Sequence, residues 1–153
     1  MPPEDNKALV RRLFDDVINH GDLEQADDLV SVGFVEHNPM PGQAAGLAGF
    51  KQVLVMLRAA FPNLRITIDE LVAEGDKVAV RLTACGDHQG AFQGLPPTGR
   101  RVAWEGISML HIADGQVVER WFHADVLGLR EQLGAAAPGQ PPDRSPEPRV
   151  PEH

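Results

Sequence analysis

Close to the C-terminus an indole, an imidazole and two carboxyl groups recur at every second position: Glu119, Trp121, His123 and Asp125 follow Val117. In an extended strand such residues share one face. If that face looks into an apolar interior, Asp125 is placed to accept a proton, His123 to orient it or donate to a substrate oxygen, and Trp121 to form a wall. A carboxylate in water is a weak base, with a pKa of about 3.9, and burial beside Trp121 would strengthen it. A second reading competes, because Asp125 falls between a strand and a helix, where its side chain can cap the amides of Leu127 or Gly128. His123 can likewise be a hydrogen-bonded wall residue. Glu119 and Arg120 have opposite parity, as do Trp104 and Glu105, so one of each pair faces inward. The tally puts Glu119 inside, as a second acid or as the partner of Arg81.

Upstream, His37 and Asn38 stand in the run Glu36-His37-Asn38-Pro39. Asn38 can both donate and accept, but asparagine before proline also favours a turn whatever lies nearby. His88 sits where a strand breaks up into glycines, and an architectural role for that stretch competes with a functional one. His37, His88, His123 and Asp125 are the right types to hold a metal. Their spacing matches no helical HxxxH or HExxH pattern, so no metal is expected. Nucleophile elbow, P-loop and dinucleotide fingerprint are all missing, and GDHQGAFQG lacks the GxGxxG order.

The elements that must position these residues are legible from periodicity. Leu9, Val10, Leu13, Phe14, Val17 and Ile18 repeat at helical spacing and predict a first helix. Asp22, three residues before Gln25, opens a short second helix with Leu23, Ala26, Leu29 and Val30 on one face. FVEHNPMPG permits a brief extended piece and a loop, and a third helix runs from about Gly46 to Phe61, stopped by Pro62. From Leu64 the period changes to two, and Glu74-Gly75-Asp76-Lys77 turns into a strand with Val78, Val80, Leu82 and Ala84 on one side. Val102 to Ile112 is strand-like, Asp114-Gly115 is a two-residue turn signal, and Val117 to Asp125 is the last strand. Leu127, Leu129 and Leu133 belong to a short helix that Gly134 can cap. Helices first and hairpin-linked strands second predict an α+β fold rather than a doubly wound parallel sheet.

At 153 residues and 42% apolar content the chain is expected to form one domain with a real core. A domain over 7–134 is expected between a short extension, 1–6, and a tail, 135–153. Six of the sixteen residues from Pro138 to His153 are proline, which predicts disorder there. The balance of 14 basic against 22 acidic residues gives −8, which disfavours nucleic acid and anionic membranes as partners. Cys85 is the only cysteine, so an intramolecular disulfide is impossible and a cytoplasmic setting is expected. Three helices cover one face of such a sheet, and the other face needs polar residues or a partner, so a homodimer through the sheet face is expected.

The run from Gly86 to Gly134, with HxGxxxGLPPTGR and DGxVxExWxxxDxxGLxxQLG as its strongest parts, together with FVEHNPMPG, resembles the SnoaL-like polyketide cyclases. These belong to the superfamily named after the small nuclear transport factor. The likeness spans Lys7 to Gly134 and implies a cone of helices on a strongly curved, mostly antiparallel sheet around an apolar pocket. It implies an intramolecular aldol ring closure without metal or organic cofactor, with an Asp as general base at the position matching Asp125. Such a reaction also needs a donor to hold the oxyanion that forms. The likeness further implies that His37, Asn38 and His88 are polar pocket residues and that Leu95 to Arg100 is a rigid loop beside the mouth. With them, Trp104, Glu119 and Trp121 are the expected ligand contacts, and Asp125 and His123 the catalytic pair. The expected activity is a cyclase or isomerase acting on a small apolar carbonyl compound. The alternatives are epoxide hydrolysis by two carboxylates bridged by an arginine, and a non-catalytic binding or dimerisation module.

Overall fold

A computed structural model of the chain describes residues 2–134; the proline-rich tail expected to be disordered lies outside the described residues. The fold is α+β, with four α-helices and a five-stranded mixed sheet. Helix α1 spans Pro3–Arg12, so it begins inside the segment expected to be an extension. A proline at the first helical position costs no hydrogen bond there. Asn6 is buried and its Nδ2 donates to Gly75 O at 3.2 Å, tying this helix to a hairpin turn.

The first apolar stripe is not one uniform helix. At Leu13–Asn19 the winding widens to π-helical, and His20 N reaches back five residues to Asp15 O at 3.1 Å. The wider turn carries Leu13, Phe14, Val17 and Ile18 into the core together. Asn19 then hooks onto the sheet, accepting from Ile66 N at 2.7 Å and donating to Ile66 O at 2.9 Å. The Arg58 guanidinium donates to the freed carbonyls of Ile18 and Asn19.

Helix α2 is Leu23–Leu29, and Asp22 caps it by accepting from Gln25 N, as its position suggested. Strand β1, Val30–Glu36, starts at the residue expected to end that helix and is longer than the brief extended piece anticipated. It pairs in parallel with the last strand, which makes the sheet mixed. Helix α3 is Gly46–Ala60, followed by β2 (Arg65–Glu74), β3 (Lys77–Asp87), β4 (Arg101–Ala113), β5 (Gln116–Ala124) and α4 (Val126–Gln132). The sheet order is β1-β5-β4-β3-β2, with all neighbours except β1 and β5 antiparallel. Asp114 and Gly115 both have positive φ, 53° and 74°, the geometry that a tight two-residue hairpin demands.

The helix-facing side of β3 and β4 is apolar at alternate positions, from Val78 to Ala84 and, apart from Ser108, from Val102 to Ile112. The opposite side carries no helix and exposes Val72, Ile107 and Met109. No helix among the described residues is long and apolar enough to cross a membrane.

Candidate functional site: an apolar cavity with two polar walls

A cavity of about 80 Å³ lies between α3, the π-helical turn and the sheet. Its walls are carbon-rich, with Phe14, Phe50, Leu54, Leu82, Trp104 and Phe122 prominent among them. Ser108 and Arg120 are the hydrophilic side chains in its lining, which holds neither a carboxylate nor an imidazole. Ser108 points from the buried face of β4, and its Oγ has no hydrogen-bond partner among the described residues. Buried hydroxyls are normally paired, so this one leaves a hydrogen-bonding position open on the cavity wall.

Arg120 projects from β5 beside it. Its Nε donates to Glu36 Oε2 at 2.6 Å, and the guanidinium carbon lies 5.8, 5.5 and 5.1 Å from the ring centres of Phe34, Phe50 and Phe122. Three π-faces and a carboxylate whose side chain is only 6% exposed hold this cation in the interior. Ser108 lies opposite Phe122 and Leu110 opposite Arg120, so Ser108 and Arg120 are diagonal neighbours on one face, about 7 Å apart. Together they place an O–H and a guanidinium on one side of the cavity.

The face of β5 that looks inward is therefore the even-numbered one, which corrects the expectation that Glu119, Trp121 and His123 converge inside. The cause is a bulge: His111 pairs with Glu119 but Ile112 pairs with Val117, which leaves Val118 without a rung. Val117 is in the core, and after the extra residue Arg120, Phe122 and Ala124 are the ones that face the cavity. The strand offered one hint. Phe122 and Ala124 are its apolar residues beyond Val118, and they fit an inward face only if the parity changes.

The displaced residues form a polar line on the outer side of the sheet. Asp76 Oδ2 meets His111 Nε2 at 2.7 Å, His111 Nδ1 meets Glu119 Oε1 at 2.9 Å, and Glu119 Oε2 meets His37 Nε2 at 2.9 Å. The His37 ring stacks on Trp121 with centres 4.4 Å apart. Arg81 instead pairs with Glu70 and Asp69. Asn38 Oδ1 accepts from Phe122 N at 2.9 Å and so prolongs the pairing of β1 with β5. His123 is exposed. Asp125 is exposed too, and it caps α4 by accepting from Gly128 N at 2.9 Å, although its neighbours Ala124 and Val126 both line the cavity. Of the expected ligand contacts, Trp104 lines the cavity.

His88 is fully buried against Phe61, outside the cavity lining. Its Nδ1 accepts from Thr98 N at 3.2 Å, and its backbone bonds to Arg100 O and Gly99 N, so it clasps the loop that precedes β4. Of the two hydrophilic residues in the lining, Ser108 is the one that periodicity could have revealed. Ser108 shares its parity with the apolar Trp104, Leu110 and Ile112 and is the hydroxyl among them.

Two histidines are shifted in opposite senses. Desolvation lowers the pKa of His88, whereas the hydrogen bond to Glu119, followed by that to Asp76, raises the pKa of His111. Below about 6.5 the unfolded chain protonates a histidine that the fold keeps neutral at position 88, so stability falls as the solution is acidified. Above about 6.5 the fold retains a proton on His111 that the unfolded chain has released, so stability falls again as pH rises through the raised value. A thermal-denaturation series across pH is therefore expected to peak near 6.5. His111→Gln should flatten its alkaline side, and an unchanged alkaline slope in that variant would refute the assignment.

The sequence profile of the SnoaL-like polyketide cyclases matches residues 8–133. The aklanonic acid methyl ester cyclase AcmA of Streptomyces galilaeus is 38% identical over 136 residues, covering 86% of this chain and 92% of that protein. The corresponding cyclase DnrD of Streptomyces peucetius is 31% identical over 137 residues, covering 85% and 91%. Among solved structures, TsrD from Streptomyces laurentii superposes with a TM-score of 0.81 at 30% identity, covering 88% of this chain and 98% of that one. A SnoaL-like polyketide cyclase from Agrobacterium tumefaciens gives 0.70 at 25% identity, covering 88% and 100%. With the profile spanning nearly all of the described fold, the chain belongs to the SnoaL-like polyketide cyclase family.

Proposed function

We propose that this protein is a cofactor-independent cyclase or isomerase that enolises a small apolar carbonyl compound, a polyketide-like ester being the substrate class its named relatives suggest. The observation that carries this reading is the orphaned Ser108 hydroxyl beside the Arg120 guanidinium in an otherwise apolar cavity. Removing a proton next to a carbonyl puts negative charge on its oxygen. Donors already fixed in an apolar site stabilise that charge without reorganising. Asp125 is the proposed base. Asp125 stands in the chain between the cavity-lining Ala124 and Val126, and an apolar substrate lying over its exposed carboxyl would strip water from it. A sheet curved as a cone around the cavity belongs to the same reading, and a second copy of the chain against the uncovered face carrying Ile107 and Met109 is its proposed partner, checked by sedimentation.

The test is turnover of β-dicarbonyl methyl esters by wild type, Asp125→Asn and Ser108→Ala. Asparagine caps a helix as well as aspartate does, so Asp125→Asn should keep the fold and lose about 100-fold or more in kcat. Ser108→Ala should lose about 100-fold in rate while gaining about 1 kcal/mol of stability, because it deletes a buried hydroxyl with no partner. Undiminished turnover in Asp125→Asn would end its assignment as base.

A second reading, a non-catalytic small-molecule binder, is favoured by the cavity's about 80 Å³, well below the roughly 300–1,000 Å³ of most ligand sites. Ligand binding that Ser108→Ala weakens, with no turnover in wild type, would select it. Epoxide hydrolysis lacks its second acid, since Glu36 is the one carboxylate that Arg120 meets among the described residues.

A further inference from the structure

Among the described residues Arg120 is the one charged side chain in the cavity lining, yet its charge does not stand alone. Glu36 meets it from β1, outside the lining, and takes the Nε donor at 2.6 Å. The rings of Phe34, Phe50 and Phe122 crowd the same guanidinium and hold it in place. What remains for a ligand is the edge that carries Nη1 and Nη2. With 6% of the Glu36 side chain and 14% of the Arg120 side chain exposed, little water screens one charge from the other. The pair therefore presents hydrogen-bond donors to the cavity but almost no net charge.

Donors without net charge sort ligands by the charge the ligand brings. A neutral ester gives up little hydration at its carbonyl and accepts from the guanidinium. A carboxylate of similar shape must shed a full shell of water to enter carbon-rich walls, and the attraction of Arg120 is offset by the repulsion of Glu36 behind it. An enolate escapes this barrier. Its charge is created after the neutral compound has entered, at an oxygen the donors already hold, so no hydration is lost in reaching it.

We infer that Glu36 sets the charge of the substrate: by offsetting Arg120 it makes the cavity accept a neutral ester and refuse the corresponding free acid. This rests on the cavity reading above and names the residue that gives the site its preference. A buried arginine without such a partner does the opposite, since a guanidinium in an apolar wall is a strong site for a carboxylate.

The experiment is calorimetric titration of methyl benzoate and of benzoate, present as its anion at neutral pH, into wild type, Glu36→Gln and Glu36→Asp. Wild type is expected to bind the ester about tenfold or more tighter than the acid. Glutamine keeps the shape and an oxygen for Nε while removing the charge, so Glu36→Gln should reverse the order, with the anion bound about tenfold or more tighter than the ester. Glu36→Asp keeps the charge and should keep the wild-type order. An ion pair that serves stability alone would leave the ratio of the two affinities unchanged in Glu36→Gln, and that result overturns the assignment while the cavity reading stands. Wild type binding the acid as tightly as the ester overturns it likewise. Should Glu36→Gln not fold by itself, benzoate is expected to restore a cooperative melt by supplying the missing negative charge, and methyl benzoate is not. Rescue by neither compound, or by both equally, counts against Glu36 in the same way. Failure of both compounds to bind wild type overturns the inference and the cavity reading together.

Discussion

With Arg120 replaced by methionine, the protein is expected to lose about 3–5 kcal/mol of stability, an effect set by what remains behind. Glu36 has 6% of its side chain exposed and Arg120 has 14%, so deleting the cation leaves a carboxylate with neither water nor counter-charge. The rings of Phe34, Phe50 and Phe122 lose their shared cation as well. Lys51 and Asp27 supply the control. They also meet at 2.6 Å, but with 31% and 57% of their side chains exposed. Lys51→Met should cost no more than about 1 kcal/mol. Replacing Glu36 and Arg120 together by leucine and methionine should recover most of the loss, because the stranded charge is then gone. Urea titrations of the four proteins make the comparison, and an Arg120→Met variant as stable as Lys51→Met would refute a desolvated pair. If Arg120 holds the substrate oxygen as proposed, the double variant should regain stability without regaining affinity for carbonyl ligands.

The contrast between β4 and β5 shows what the sequence could and could not disclose. In β4 every even residue from Val102 to Ile112 is buried, so strict alternation holds along it, and of Trp104 and Glu105 it is Trp104 that lies inside. In β5 the same arithmetic failed after a single residue. Val118 takes no rung, so a face predicted to carry Glu119, Trp121 and His123 inward carries Arg120, Phe122 and Ala124 instead. A bulge needs no distinctive residue, and Val118 looks like any strand valine. The burial of Arg120 was hidden for another reason. A lone arginine reads as solvated, and its partner Glu36 lies 84 positions away on a strand that joins β5 in parallel. The helices were easier, since Asp22 and Pro62 bound them locally, yet the π-helical widening at Leu13 depends on Arg58 and Ile66, which no local pattern includes. Asp125 was allowed two roles, base or helix cap, and the cap is the one its geometry displays.

The glycine motif leads to the last large effect, Gly90→Ala. Backbone angle alone would make Gly94, with φ at 80°, the least replaceable of the motif's glycines. Close contacts reverse that order. A methyl group on Gly94 meets nothing within 4 Å, so Gly94→Ala should cost only the left-handed backbone penalty, about 1–2 kcal/mol. A methyl group on Gly90 would stand 2.0 Å from Ala59 O and 3.2 Å from Ala60 Cα, both backbone atoms at the end of α3. Neither can swing aside as a side chain would. The loop must lift from the helix, and the hydrogen bonds from Gln89 N and Gly90 N to Ala60 O go with it. His88 is next in the chain, so its hold on Thr98 is strained as well, and Phe61, packed between His88, Phe92 and the cavity residue Trp104, loses its support. Gly90→Ala is therefore expected to cost about 3 kcal/mol or more, which for a chain of this size lowers the melting temperature by about 6 °C or more. Ligand affinity should fall with it, since Trp104 forms part of the cavity wall. Parallel thermal melts of the two variants decide the matter: if Gly90→Ala proves no more costly than Gly94→Ala, the close approach of this loop to α3 is not what the glycine is there to permit.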